Sequence, residues 1–168
     1  MFLKDDRTID FMQFPLVQSY SKGIHVGLTG FLAQSGMGKT TIGIPMFCMP
    51  MLESGQKVLS IHNEQEEDEI RQLYLMAYIS RVKKNTKGLH RNNFNAMNAH
   101  KITADQKKYL IECAQEFEER YKDRLEFVFV PRFNEDDLEA LILDYQRKGY
   151  QNIFLDTFKT EDSSTAGS

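Results

Sequence analysis

The segment with the strongest chemical pattern is Ser35-Gly36-Met37-Gly38-Lys39-Thr40-Thr41. Its two glycines allow a tight turn in which backbone N–H groups approach phosphate oxygens without a Cβ in the way. A lysine at position 39 can neutralise the β- and γ-phosphates of a nucleotide, and the hydroxyl of Thr40 can bind Mg²⁺. These residue types in this order predict a phosphate-binding loop.

The sequence on either side of the loop supports this prediction. The apolar run from Ile24 to Leu32 predicts a strand before the loop, and Lys39 opens a helix that is predicted to reach about Leu52. The N-terminus of that helix would add unpaired N–H donors and the positive end of its dipole. The usual pattern opens with glycine, whereas Ala33 stands in that place here. The alternative is a glycine-rich turn that merely precedes Lys-Thr, but the flanking strand and helix favour a loop that binds a nucleoside triphosphate.

Two carboxylates stand at the ends of predicted strands. Asp156 ends the apolar run 153–155, where a carboxylate can hold a water of the Mg²⁺ shell. Its alternative role is to cap the turn that follows the strand. Glu64 ends the strand that follows the loop's helix, where it can take a proton from the water that attacks the γ-phosphate. Five acidic or amide residues follow Glu64, so its alternative role is solvated helix surface.

Strands and helices alternate along the chain. The predicted strands are 24–32, 57–62, 125–130 and 151–155. The predicted helices are 39–52, 63–82, 103–123 and 134–149. Asn63 and Asn134 are the predicted N-caps of the second and fourth helices, Thr103 and Gln106 form a capping box at the third, and Gly149 ends the fourth. This order predicts an α/β fold, with a mostly parallel sheet and helices on both faces. Because ligands gather at the carboxyl ends of parallel strands, we expect the loop, Glu64 and Asp156 to meet there.

Two further patterns bear on these elements. Pro45 and Pro50 fall inside the helix after the loop, so we expect a kink near Pro45 or an early end to regular helix. A basic group follows the next helix and comprises Arg81, Lys83, Lys84, Lys87 and Arg91. We interpret these cations as complements to the C-terminal end of that helix rather than as a phosphate or DNA contact.

Composition excludes several classes of protein. The chain has 168 residues and a formal net charge of −3, so as a whole it carries no electrostatic signature of nucleic-acid binding. Cys48 and Cys113 lie in apolar helical patterns and are predicted to be buried thiols. The four histidines show no metal-ligand spacing, the N-terminus has no signal-peptide pattern and no apolar run is long enough to cross a membrane. We therefore expect an intracellular protein.

At these motifs the chain resembles a known family. Residues Ala33 to Thr40 are similar to the phosphate loop of DnaB-like replicative helicases, which belong to the RecA-like P-loop ATPases. Val58 to Glu64 resembles the family's strand that ends in a catalytic glutamate, and Asn152 to Asp156 resembles its later strand that ends in aspartate. The resemblance implies an ATPase that moves along single-stranded DNA as a hexameric ring. It also implies catalytic roles for Lys39 and Glu64, an ATP site at residues 35–41, and Mg²⁺ at Thr40 and Asp156.

The sequence also predicts a division of the chain. We expect an N-terminal segment or linker at 1–23, a partial RecA-like ATPase core at 24–160 and a polar tail at 161–168. Family members continue into DNA-contacting loops and an arginine finger, whereas this chain ends twelve residues after Asp156. We therefore expect a fragment of a longer protein from a bacterium or phage, acting in the cytoplasm. Such a fragment would bind ATP and Mg²⁺ but turn ATP over poorly.

Three alternatives remain open from the sequence. One is a RecA-like recombinase or clock-type ATPase, which shares this core and differs beyond it. Another is a P-loop kinase, but the arginines between the loop and Asp156 are scattered rather than clustered in a lid. The last is a non-catalytic nucleotide-binding module, in which Glu64 is only surface.

Overall fold

The computed structural model of the chain describes residues 9–11, 14–32, 34, 37–94, 99–131 and 134–156. The helices are α1 (Pro15–Ser21), α2 (Lys39–Gly43), α3 (Met49–Glu53), α4 (Glu67–Ala77), α5 (Ala104–Tyr121) and α6 (Glu135–Arg147), and the strands are β1 (Val58–His62), β2 (Leu125–Phe129) and β3 (Asn152–Asp156). Ala33, Ser35 and Gly36 of the predicted loop and the predicted tail lie outside the described residues.

The three strands form one parallel sheet in the order β2-β1-β3. Every residue of β1 is buried, as expected for a central strand of a parallel sheet. In the register of the ladder, His62 at the end of β1 pairs with Phe129 of β2 and with Asp156 of β3. All three strands therefore end together, with their carboxyl ends on the same side of the sheet.

Helices cover both faces of this sheet, which confirms the α/β prediction in its general form. Leu59 and Ile61 point to one face and pack against α6 through Leu138, Leu141 and Ile142. The alternate residues of β1, Ser60 and His62, point to the other face, because successive side chains of a strand alternate. That face lies under residues 39–53 and α4, where the largest buried cluster joins the helices to Phe127, Phe129 and Phe154. The parallel arrangement is common to several α/β folds.

The helix after the loop accommodates Pro45 and Pro50 without an interruption. A π-helical turn, Ile44–Cys48, joins α2 to α3, so residues 39–53 form one continuous helical run. Pro45 has no N–H to offer an α-helical bond. The turn widens at this place, and the N–H of Met49 bonds to the carbonyl of Ile44. The predicted irregularity near Pro45 is thus a π turn, and the helix ends at Glu53.

The prediction of a first strand at residues 24–32 is wrong. Only Ile24 is paired there, through an isolated antiparallel bridge to Ile9, and residues 25–32 belong to no strand. Both edges of β1 are already occupied by β2 and β3, and residues 25–32 pair with none of the three strands. An apolar run forms a strand only where a neighbouring strand satisfies its N–H and C=O groups. Leu28 and Leu32 are consequently exposed.

The predicted caps of α5 and α6 are confirmed, whereas the cap of α4 lies later in the chain than predicted. The capping box of Thr103 and Gln106 starts α5, and the side chain of Asn134 caps α6. Asn63, however, does not cap α4, because residues 63–65 form a bend that leaves the sheet edge and Glu66 is the cap.

Cys48 and Cys113 are buried free thiols, as predicted. In the described part of the chain, no helix combines the length and apolar character needed to span a bilayer.

Candidate functional site

Thr40 and Asp156 meet although 116 residues separate them. Thr40 lies in the first turn of α2, and Asp156 is the last residue of β3. The Oγ1 of Thr40 donates a hydrogen bond of 2.6 Å to Oδ2 of Asp156. The structure therefore brings together the two residues that the sequence predicted at the Mg²⁺ site, Thr40 through its hydroxyl and Asp156 through a water of the Mg²⁺ shell.

A buried histidine lies beside this pair. His62 is 1% exposed, and its Nδ1 lies 3.4 Å from Oδ2 of Asp156, without the alignment of a regular hydrogen bond. Its Nε2 lies 2.7 Å from Oγ of Ser60, which accepts a 2.8 Å hydrogen bond from the hydroxyl of Tyr74. We call these five residues (Thr40, Asp156, His62, Ser60 and Tyr74) the buried polar network.

Packing fixes the position of the imidazole within the network. The ring stacks at 5.7 Å and 24° on Phe129, its partner in the ladder. Phe154 lies 6.1 Å away on the other side. Because both neighbours are aromatic rings on paired strands, His62 has little freedom to turn away from Asp156.

The electrostatics of the site keep Asp156 ionised. Burial alone would raise the pKa of this carboxyl group, because a low-dielectric environment disfavours the charged form. The contacts from His62 and Thr40, together with the positive charge of Lys39, outweigh burial and lower the pKa below its ordinary value of 3.8. Asp156 is thus a buried carboxylate that carries its negative charge at neutral pH.

The donor atoms at this point fit magnesium. A hydroxyl and a carboxylate are the hard oxygen ligands that Mg²⁺ prefers, and Mg²⁺ commonly takes only one or two protein ligands beside water and phosphate. Among the residues that the structure describes, no cluster of three or more His, Cys, Asp or Glu side chains could hold a metal. The Thr40–Asp156 pair supplies two hard oxygen donors at one point.

The described end of the predicted loop lies at the start of α2. Gly38 precedes the helix with φ +77°, a left-handed conformation in which a Cβ would be strained. Lys39 is the first helical residue and is partly exposed, and Met37 before it is exposed. The predicted contributions of Ser35 and Gly36 lie outside the described residues.

Arg91 belongs to the site's surroundings, and sequence reasoning missed it. Its guanidinium donates a 3.2 Å hydrogen bond to Oγ1 of Thr41 and forms an ion pair with Glu69. The interpretation of this basic group as cations near a helix end is therefore wrong for Arg91. No local signal marks this arginine, because its contact with Thr41 spans fifty residues of chain and depends on how the turn Arg91–Phe94 packs.

Glu64 lies in the bend after β1, two residues beyond His62, and its side chain is exposed. It thus follows β1, which ends beside Asp156, at the carboxyl ends of the parallel strands. Its role as a base remains a prediction.

Comparison of the chain with protein-family models found no match, and comparisons with curated proteins and with solved structures found no significant one. The family resemblance therefore depends on the three sequence motifs alone.

Proposed function

We propose that this chain binds ATP together with Mg²⁺ at the start of α2. The observation that carries the proposal is the 2.6 Å contact between Thr40 and Asp156. A hydroxyl directly after the lysine of a phosphate-loop pattern and an ionised carboxylate at a strand end are the pair that such a cation requires. The low pKa of Asp156 supports the proposal, since its charge is available at neutral pH.

Each residue has a distinct part in this function. The N–H groups in the first turn of α2 and the ammonium of Lys39 would attract the phosphates. Thr40 and Asp156 would hold the metal, which when bound neutralises charge on the phosphate oxygens. Glu64 would accept a proton from the attacking water.

We further propose that the ATPase is of the RecA-like type and is the motor core of a DnaB-like helicase. The three motifs support this, as does a parallel sheet whose strands end together beside Thr40. On this proposal the full-length protein forms a hexameric ring and couples ATP hydrolysis to movement on single-stranded DNA. Stimulation of ATP turnover by single-stranded DNA in that full-length protein would support this assignment. Turnover that does not respond to DNA would favour a RecA-like ATPase with a different partner.

Replacement of Lys39 by alanine tests nucleotide binding. We expect Lys39→Ala to bind a fluorescent ATP analogue at least about tenfold more weakly, because it loses a charge-assisted hydrogen bond of about 1.5–3 kcal/mol. The matched control is Lys108→Ala, which removes the same charge from an exposed position on α5. Thermal unfolding should show both variants folded. Equal affinities in the two variants would contradict the proposal.

Replacement of Asp156 by asparagine tests the metal. Asp156→Asn should raise the Mg²⁺ concentration needed for half-maximal nucleotide binding, because an amide is a weaker ligand for this cation than a carboxylate. An unchanged Mg²⁺ requirement would show that Asp156 takes no part in binding the metal.

A further inference from the structure

The proposed function does not use His62, the histidine of the buried polar network. His62 has a fully buried ring, and none of the three sequence motifs gives it a role. Its Nδ1 is a buried polar atom without a regular hydrogen bond, and it faces Oδ2 of Asp156 at 3.4 Å. Buried polar atoms of this kind usually reflect a function or a missing partner.

The far side of the ring lies against a hydroxyl that can donate to it. Oγ of Ser60 accepts a hydrogen bond from Tyr74. The hydroxyl hydrogen of Ser60 is then free to be donated to Nε2 of His62, 2.7 Å away. A neutral imidazole has one donor and one acceptor nitrogen, so an accepting Nε2 leaves the proton on Nδ1.

The charge of Asp156 favours the same tautomer. With a proton on Nδ1, the ring presents a positive N–H edge to the carboxylate. The opposite tautomer would place a nitrogen lone pair against a negative oxygen in a buried environment, where such repulsion is poorly screened. Both sides of the ring therefore favour the Nδ1–H form.

We propose that His62 is a positioning residue that holds the carboxylate of Asp156 in place through its Nδ1–H, in a tautomer favoured by the charge of Asp156 and by the hydroxyl of Ser60. The imidazole and the Thr40 hydroxyl approach the same oxygen, Oδ2, from a rigid strand and from α2. These two contacts restrict the orientation of the Asp156 carboxylate before any ligand arrives. This inference rests on the proposed function, in which Asp156 serves a Mg²⁺ ion that accompanies ATP.

A pair of amide variants separates the two nitrogens of His62. In His62→Asn the amide nitrogen takes the place of Nδ1, and in His62→Gln it takes the place of Nε2. The measurement is the Mg²⁺ concentration for half-maximal binding of a fluorescent ATP analogue. We expect His62→Asn to stay within about twofold of the original chain and His62→Gln to need about tenfold more Mg²⁺. Equal Mg²⁺ requirements for both variants, with both folded by thermal unfolding, would overturn the proposal.

A second measurement needs neither a variant nor a nucleotide. In the ¹⁵N-labelled chain, NMR distinguishes a protonated ring nitrogen from a bare one. We expect His62 to show a protonated Nδ1 and a bare Nε2, and Ser60→Ala to weaken that preference. A protonated Nε2 would overturn the inference. If the chain binds no ATP and His62 still shows the Nδ1–H form, the proposed function fails while the positioning of Asp156 stands.

Discussion

At the scale of single residues, the site combines burial with charge. Asp156 is buried at a strand end, yet Thr40, His62 and Lys39 together keep its pKa low. In contrast, burial raises the pKa of the Cys48 thiol to about 12, because the contact from Tyr74 does not compensate for desolvation. Cys48 is therefore an inert neutral thiol in the core, whereas Asp156 remains an anion that can attract a cation.

The proposed base can be tested at the same scale. Glu64→Gln keeps the size and polarity of the side chain but cannot accept a proton from water. In the full-length protein of the proposal, we expect normal binding of ATP and a turnover at least about 100-fold slower, since general-base catalysis contributes about 10²–10⁴-fold. Steady-state phosphate release measures the rate.

Glu66→Gln is the matched control for this experiment, because Glu66 is exposed in the same segment and its side chain makes no cap hydrogen bond. It should turn over ATP at the original rate. If Glu64→Gln behaves like this control, Glu64 is surface, as in the non-catalytic alternative.

At the scale of elements, close packing of α2 on β3 positions the site. Gly43, one turn after Lys39 and Thr40, lies directly against the ring of Phe154. A larger residue at 43 would displace either α2 or the ring of Phe154. The glycine thus permits the close approach of α2 to the strand that ends in Asp156.

Gly43→Ala tests this contact. A Cβ at position 43 would lie 2.8 and 2.9 Å from two ring atoms of Phe154, so the helix or the ring must move. We expect a loss of about 1–3 kcal/mol in the free energy of unfolding, the usual cost of overpacking. Urea denaturation measures it.

Two further variants make the test specific. Gly30→Ala serves as the control, because a Cβ there meets no atom within 4 Å and should leave stability unchanged. Adding Phe154→Leu to Gly43→Ala should recover part of the loss by making room for the methyl group. Equal stability of the two glycine variants would show that α2 does not pack as closely as described.

At the scale of the whole molecule, β1 is the strand best shielded from solvent. This strand is hydrogen-bonded on both edges and buried on both faces, whereas residues 25–32 are exposed and unpaired. The molecule therefore joins a well-packed three-layer centre to an exposed apolar segment just before the loop.

Amide hydrogen exchange checks this distribution. We expect the amides of β1 to exchange last and those of residues 25–32 to exchange near the rate of an open chain, because local opening costs least where hydrogen bonds are exposed. ATP with Mg²⁺ should slow exchange at Lys39 and Thr40. Protection of residues 25–32 equal to that of β1 would mean that the predicted first strand forms after all.

The sequence by itself determined the features that depend on near neighbours. The order of residues 37–41, the capping residues Thr103 and Asn134, and the apolar run before Asp156 are local patterns. Backbone sterics and short-range hydrogen bonds decide such patterns, so each could be predicted without a fold. The α/β class followed from the alternation of these elements.

Tertiary structure alone decided which distant residues meet. Strand order brings Asp156 beside His62, and helix packing brings Thr40 onto the same carboxylate and Arg91 onto Thr41. It also left residues 25–32 without a partner, although their composition suits a strand. These outcomes depend on hydrogen bonds and packing between segments far apart in the chain, and a single sequence does not encode those pairings in any local pattern.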